Sequence, residues 1–160
     1  MTRVSSGKRY GVVSGDQRRA MSGLEFVEGL VTGTLPLNSM AETLGYDIVE
    51  AADGRVTIIA EPTAEHLNRA GTVHGGLSAT LLDSCMGLAI VTTLDKGFGQ
   101  TTLEFKISLL RTITPETGLI RAEGNVISRG RRIGTAEGRL TDGKGHLLAH
   151  GTTTCLIFEY

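Results

Sequence analysis

GTVHGGLSATLLDSCMGLAIVTT, residues 71–93, holds the longest apolar run of the chain, Leu77 to Val91. The spacing predicts a helix from about Gly75 to Thr93. It is apolar nearly all round, so it belongs at the centre of a domain rather than on its surface. At 3.6 residues per turn, Leu77, Leu81, Ser84/Cys85 and Leu88 form the stripe expected to pack on its cover. One carboxylate, Asp83, interrupts the run, on a face shared with Gly76, Ala79, Gly87 and Ile90. None of these is a cation, and an unpaired buried carboxylate costs on the order of several kcal/mol. Small neighbours leave room for a ligand instead.

The cover comes from strands. TTLEFKISLL alternates, with Leu103, Phe105, Ile107 and Leu109 on one face and Thr102, Glu104, Lys106 and Ser108 on the other. Turn signals at TPETG, at Arg129-Gly130 and at DGKG separate three more strands, near 118–128, 131–141 and 146–158. Upstream, Ser22 to Gly33 reads as a capped helix, Asn38 or Ser39 caps a further helical turn, and Asp53-Gly54 turns a hairpin. An antiparallel sheet with one apolar face needs a cover. The reading is therefore α+β, a sheet wrapped around one long central helix. Residues 21–160 make a single domain, preceded by a flexible basic tail over 1–20.

Charge and composition narrow the function. A net charge of −1 lacks the basic excess of a general nucleic-acid binder. The basic bias of residues 1–20 (Arg3, Lys8, Arg9, Arg18 and Arg19 against Asp16) reads as a solvated tail. The long apolar run is broken by Ser78, Thr80, Asp83 and Ser84, so no membrane span is expected. Cys85 and Cys155 sit in apolar segments without metal-ligand spacing. Reduced core thiols and a cytoplasmic location follow as expectations. His66, His74 and Asp83 match no compact metal site, and no metal is expected.

The helix start is the second chemical feature. At His74-Gly75-Gly76, free backbone N–H groups and the positive end of the helix dipole coincide. Such an end stabilises an oxyanion. Gly75 and Asp83 are eight residues apart, ~12 Å along one helix. They cannot act on one carbonyl within a single chain, but two paired chains can bring them together.

The pattern Asn68-x-x-Gly71-Thr72-x-His74-Gly75-Gly76, then six residues and Asp83, resembles the hotdog-fold acyl-CoA thioesterases of the phenylacetic-acid-degradation (PaaI-like) type. The likeness runs from about Leu35 to GTTTCLIF near the C-terminus and leaves out the first twenty residues. It implies the hotdog fold and hydrolysis of an aryl, arylacetyl or medium-chain acyl-CoA. Asp83 is then nucleophile or general base, and the Gly75 N–H polarises the thioester carbonyl. Asn68 orients groups around it, and Thr101 (or Thr102) holds the attacking water. His74 is expected to shape the loop more than to catalyse. The related 4-hydroxybenzoyl-CoA branch can use Glu and Gln, whereas this chain has Asp and Asn. The resemblance also implies that Arg111, Arg129, Arg131 and Arg132 meet the phosphates of coenzyme A, which is part of the substrate rather than a cofactor. It implies a homo-oligomer too, a dimer or a tetramer of two dimers. Two alternatives stay open: an enoyl-thioester hydratase or dehydratase, and a non-catalytic acyl-CoA binding protein on the same fold.

Overall fold

The computed structural model describes residues 7–160. Its elements run α1 (Gly15–Arg19), α2 (Gly23–Thr32), α3 (Ser39–Leu44), β1 (Tyr46–Ala52), β2 (Arg55–Ala60), α4 (Gly75–Thr92), β3 (Phe98–Leu109), β4 (Ile120–Arg129), β5 (Ile133–Asp142) and β6 (Leu147–Glu159). The six strands form one antiparallel sheet in the order β1-β2-β4-β5-β6-β3. Local chemistry explains the boundaries. Ser22 and Glu25 close a capping box on α2, Asn38 caps α3, and Gly33 and Gly45 end those helices in the left-handed conformation. Gly54, also left-handed, turns the β1–β2 hairpin.

Helix α4 lies against one face of the sheet. It is long and apolar enough to cross a membrane, yet most of it is buried inside this fold. The face on the sheet is rotated from the expected stripe. A Cβ on Gly138 would meet Met86 and Leu82, and one on Gly134 would meet Ile90, so those side chains sit on the strands. Gly124 shows how close the helix comes: a Cβ there would lie 2.3 Å from the Cys85 carbonyl oxygen. Any side chain at that position lifts the helix off the sheet. Ser84 and Leu88, assigned to the sheet by periodicity, instead share a cavity wall with Asp83 and Gly87. Ile90, assigned to the carboxylate's face, is fully buried beneath Gly134.

Strand β3 also departs from simple alternation. A register shift falls between Thr102 and Glu104, opposite Cys155 and Thr154. The extra residue is Leu103, which is 55% exposed. The bulge changes which residues share a face. Thr102 pairs with the buried Cys155 and faces the helix, as do Phe105, Ile107 and Leu109 beyond the bulge, paired with Thr153, Gly151 and Ala149.

The mobile-tail expectation fails for residues 7–20. Gly11 donates to the Leu37 carbonyl and Leu37 to the Arg9 carbonyl, while Lys8 pairs with Asp47 on β1. Ser14 caps α1, and Arg18 from that helix is buried. Residues 1–6 of the expected tail lie outside the described residues.

Candidate active site

Asp83 projects from the middle of α4, half-buried, into a cavity of about 440 Å³. Its partner comes from β3: the Thr102 hydroxyl donates to Asp83 Oδ1 at 3.0 Å. The expectation of Thr101 is corrected here. Thr101 is exposed, and the bulge puts Thr102 on the helix side. Among the described residues, no cation pairs with Asp83. One hydrogen bond from a hydroxyl pins Oδ1, and Oδ2 has no hydrogen bond among the described residues. A carboxylate so placed can accept a proton or attack a carbonyl.

The helix start is built separately. His74 is the N-cap, and its Nδ1 accepts the Gly76 N–H at 2.9 Å. The His74 N–H goes to the His66 carbonyl, and the Leu77 N–H to the His74 carbonyl. This commits the ring to shaping the turn. The Gly75 N–H has no acceptor among the described residues. A Cβ at Gly75 would come within 2.7 Å of Leu109 Cδ1, the movable end of an exposed side chain, so the position touches β3. Asn68 acts one layer back. Its Oδ1 accepts from the Ala70 and Thr72 N–H groups and its Nδ2 donates to Thr72 Oγ1, closing the 68–72 turn that delivers His74 and Gly75. Asn68, His74 and Gly75 are thus brought together at one end of α4. Asp83 and Thr102 are brought together two turns away.

The four arginines do not form one cluster. All are exposed, and none has a carboxylate partner among the described residues. Arg111 donates its N–H to Leu148 at the start of β6 and borders a basin with Lys144 and His146. Arg129, Arg131 and Arg132 surround the β4–β5 turn, at the other end of the sheet. The ten residues of β4 separate the two groups, roughly 30 Å at the rise of a strand. One coenzyme A on a single chain cannot be held by both.

Sequence reasoning missed Gln100. It donates from Nε2 to the Gly87 carbonyl on the carboxylate's face of α4, and its Oε1 is buried with no partner among the described residues. A lone Gln in a strand gives no signal of this. Arg18, on the cavity wall with Asp83, was also missed because its segment was read as tail.

The hydrogen bond to Asp83 makes a paired test. Thr102→Ala is expected to lower kcat about 10- to 100-fold by freeing the carboxylate to rotate. Thr101→Ala should stay close to wild type. Steady-state kinetics of the two variants side by side check the assignment, and the reverse ranking would refute it.

The chain belongs to the thioesterase superfamily, whose family model matches residues 70–149. That span holds Gly75, Asp83 and Thr102. A Halobacterium salinarum protein described as an esterase is 33% identical over 99 residues, 59% of this chain and 64% of that relative, slightly under two thirds of its length. Human acyl-coenzyme A thioesterase 13 is 29% identical over 108 residues, 67% of this chain and 76% of that protein. The solved phenylacetic acid degradation-related thioesterase of Ralstonia eutropha superposes with a TM-score of 0.73 at 30% identity, over 82% of this chain and 98% of its own. The fold is the hotdog fold, and the kinship is PaaI-like.

Proposed function

We propose that the protein hydrolyses acyl-CoA thioesters at a site shared between two chains, with Asp83 as the base. The observation that carries this is the half-buried Asp83 held by Thr102 in a cavity, on a fold whose helix start leaves the Gly75 N–H free. The name of the human relative supports coenzyme A as the carrier.

The pairing follows from the sheet edge. Among the described residues β3 has β6 on one side and no strand on the other, and it exposes Leu103, Phe105 and Leu109. A twelve-residue edge strand carrying exposed apolar side chains is a template for another strand. Antiparallel pairing of two β3 strands about a two-fold centred near Phe105 sets Leu109 of one chain opposite the Thr101–Thr102 stretch of the other. Leu109 touches the Gly75 position and Thr102 holds Asp83, so the two half-sites meet. The same symmetry puts Arg111 at the same end as the Arg129, Arg131 and Arg132 group of the partner chain. Arg111 and that group then receive the phosphates, for which the guanidinium fork is suited.

In the reaction, water loses a proton to Asp83 as its oxygen attacks the thioester carbonyl carbon. The resulting oxyanion accepts from the partner's Gly75 N–H at the positive end of its helix. The C–S bond then breaks, the thiolate takes up a proton, and free acid and coenzyme A leave. Asp83 as a base, rather than as a nucleophile, fits an oxygen pinned by Thr102 and a second one left open to water. A hydratase would need an acid–base histidine at the reacting carbons, and His74 is occupied as the cap. The test is thiol release from a panel of acyl-CoAs by the wild-type protein. Steady turnover with at least one member is expected, and tight binding without any thiol release would establish the non-catalytic alternative.

A further inference from the structure

Arg18 is a buried cation in the wall of the same cavity as Asp83, 8% exposed. Its guanidinium stacks on Phe26, 4.5 Å from the ring centroid, and stands 6.0 Å from the ring of Tyr160. Its polar partners are poor: the Met21 carbonyl at 3.4 Å and the Phe98 carbonyl at 3.5 Å. Among the described residues no carboxylate pairs with it. The sequence of residues 1–6, MTRVSS, contains no Asp or Glu that could do so. Burial lowers its pKa, as for any cation drawn out of water. Aromatic stacking offsets part of that cost, but a guanidinium has five N–H donors and this one has two long contacts. The arginine comes from α1, outside the residues the family model matches.

We infer that Arg18 receives a carboxylate at the far end of the acyl group, so that the substrates are CoA half-thioesters of dicarboxylic acids. This rests on the hydrolase reading of Asp83 and specifies what that site takes. The cavity between the two charges has the required form. Leu88 and Val91 of α4 and Phe26 and Leu30 of α2 line it, apolar surfaces for methylenes or a ring. The strand gives its length. Phe98, which accepts from Arg18, is four strand residues from Thr102, which holds Asp83, or ~13 Å. Subtracting a hydrogen-bonded contact of ~3 Å at each end leaves ~7 Å. That is the reach of an acyl group with roughly six to eight carbons. A carboxylate seated on Arg18 gains a charge-assisted bidentate pair. Its repulsion from Asp83 also turns the thioester, rather than the free acid, toward the base.

The experiment compares octanedioyl-CoA with octanoyl-CoA, equal in length and differing only at the far end. Wild-type protein is expected to favour octanedioyl-CoA at least about 10-fold in kcat/KM. Arg18→Gln should lower kcat/KM for octanedioyl-CoA about 10- to 100-fold, the loss of a hydrogen-bonded charge pair. The same variant should leave octanoyl-CoA within a few-fold of wild type. A wild-type preference for octanoyl-CoA overturns the inference without any variant. An equal loss on both substrates overturns it too, since Arg18 would then be a strut for the N-terminal segment. Absence of turnover with either thioester, while another acyl-CoA of the panel is hydrolysed, also overturns the inference; absence across the whole panel sinks the hydrolase reading instead. The pocket is then decided by calorimetry with the free acids, where octanedioate must bind more tightly than octanoate and lose that advantage in Arg18→Gln.

Discussion

Asp83→Asn is expected to fold as the wild type does and to lose about three orders of magnitude in kcat. Asn keeps the shape and an Oδ1 that can accept from Thr102, so the hydrogen bond at 3.0 Å survives. What disappears is the basic oxygen. An amide neither takes a proton from water at neutral pH nor attacks a thioester. KM should change little, because the acyl chain and coenzyme A are held elsewhere in the site. Stability should change little as well: the carboxylate is half-exposed to the cavity, and no cation partner is stranded by its removal. Circular dichroism, a thermal melt and steady-state kinetics on the same preparation make the measurement. Turnover close to wild type in a folded variant would remove Asp83 from the chemistry.

Where the chain's chemistry was readable, the reason is local. The start of α4 is written in its cap, since His74 bonds Gly76 across two residues and needs no distant partner. The Asp53-Gly54 turn, the Ser22 capping box and the Asn38 cap are equally short-range. So is the position of the lone carboxylate in an apolar run. The failures have a common physical origin in long-range packing. Thr101 and Thr102 cannot be told apart by alternation, because the bulge at Leu103 is set by pairing with β6 more than fifty residues away. The stripe on α4 is rotated because Gly124, Gly134 and Gly138 open the sheet to the helix backbone, and a glycine in a strand does not announce what will approach it. Arg18 sits in a segment with no apolar periodicity. Its burial depends on Phe26, Phe98 and Tyr160, spread over the length of the chain. That Arg111 and the Arg129, Arg131 and Arg132 group fall at opposite ends of the sheet follows from strand pairing, another long-range property.

A mixture of two inactive variants is expected to recover activity, and this follows from the length of one helix. Gly75 and Asp83 in the same chain are eight residues apart, ~12 Å, too far to act on one carbonyl. If each site takes its oxyanion donor from one chain and its base from the other, Asp83→Ala chains still carry an intact Gly75 turn. Asn68→Ala chains still carry Asp83, but they lose the three hydrogen bonds that close the 68–72 turn. Each homodimer therefore has two defective sites. In a mixed dimer the lesions segregate, with both in one site and neither in the other. Random pairing of equal amounts makes half of the dimers mixed, so about one quarter of wild-type activity should return. Chains would be unfolded together and refolded, with pairing confirmed by native mass spectrometry of differently tagged chains. Activity in the verified mixed dimer no greater than the average of the two parents would mean that each chain holds a complete site. The free Gly75 N–H would then need another role, and the β3 edge would lose its part in catalysis.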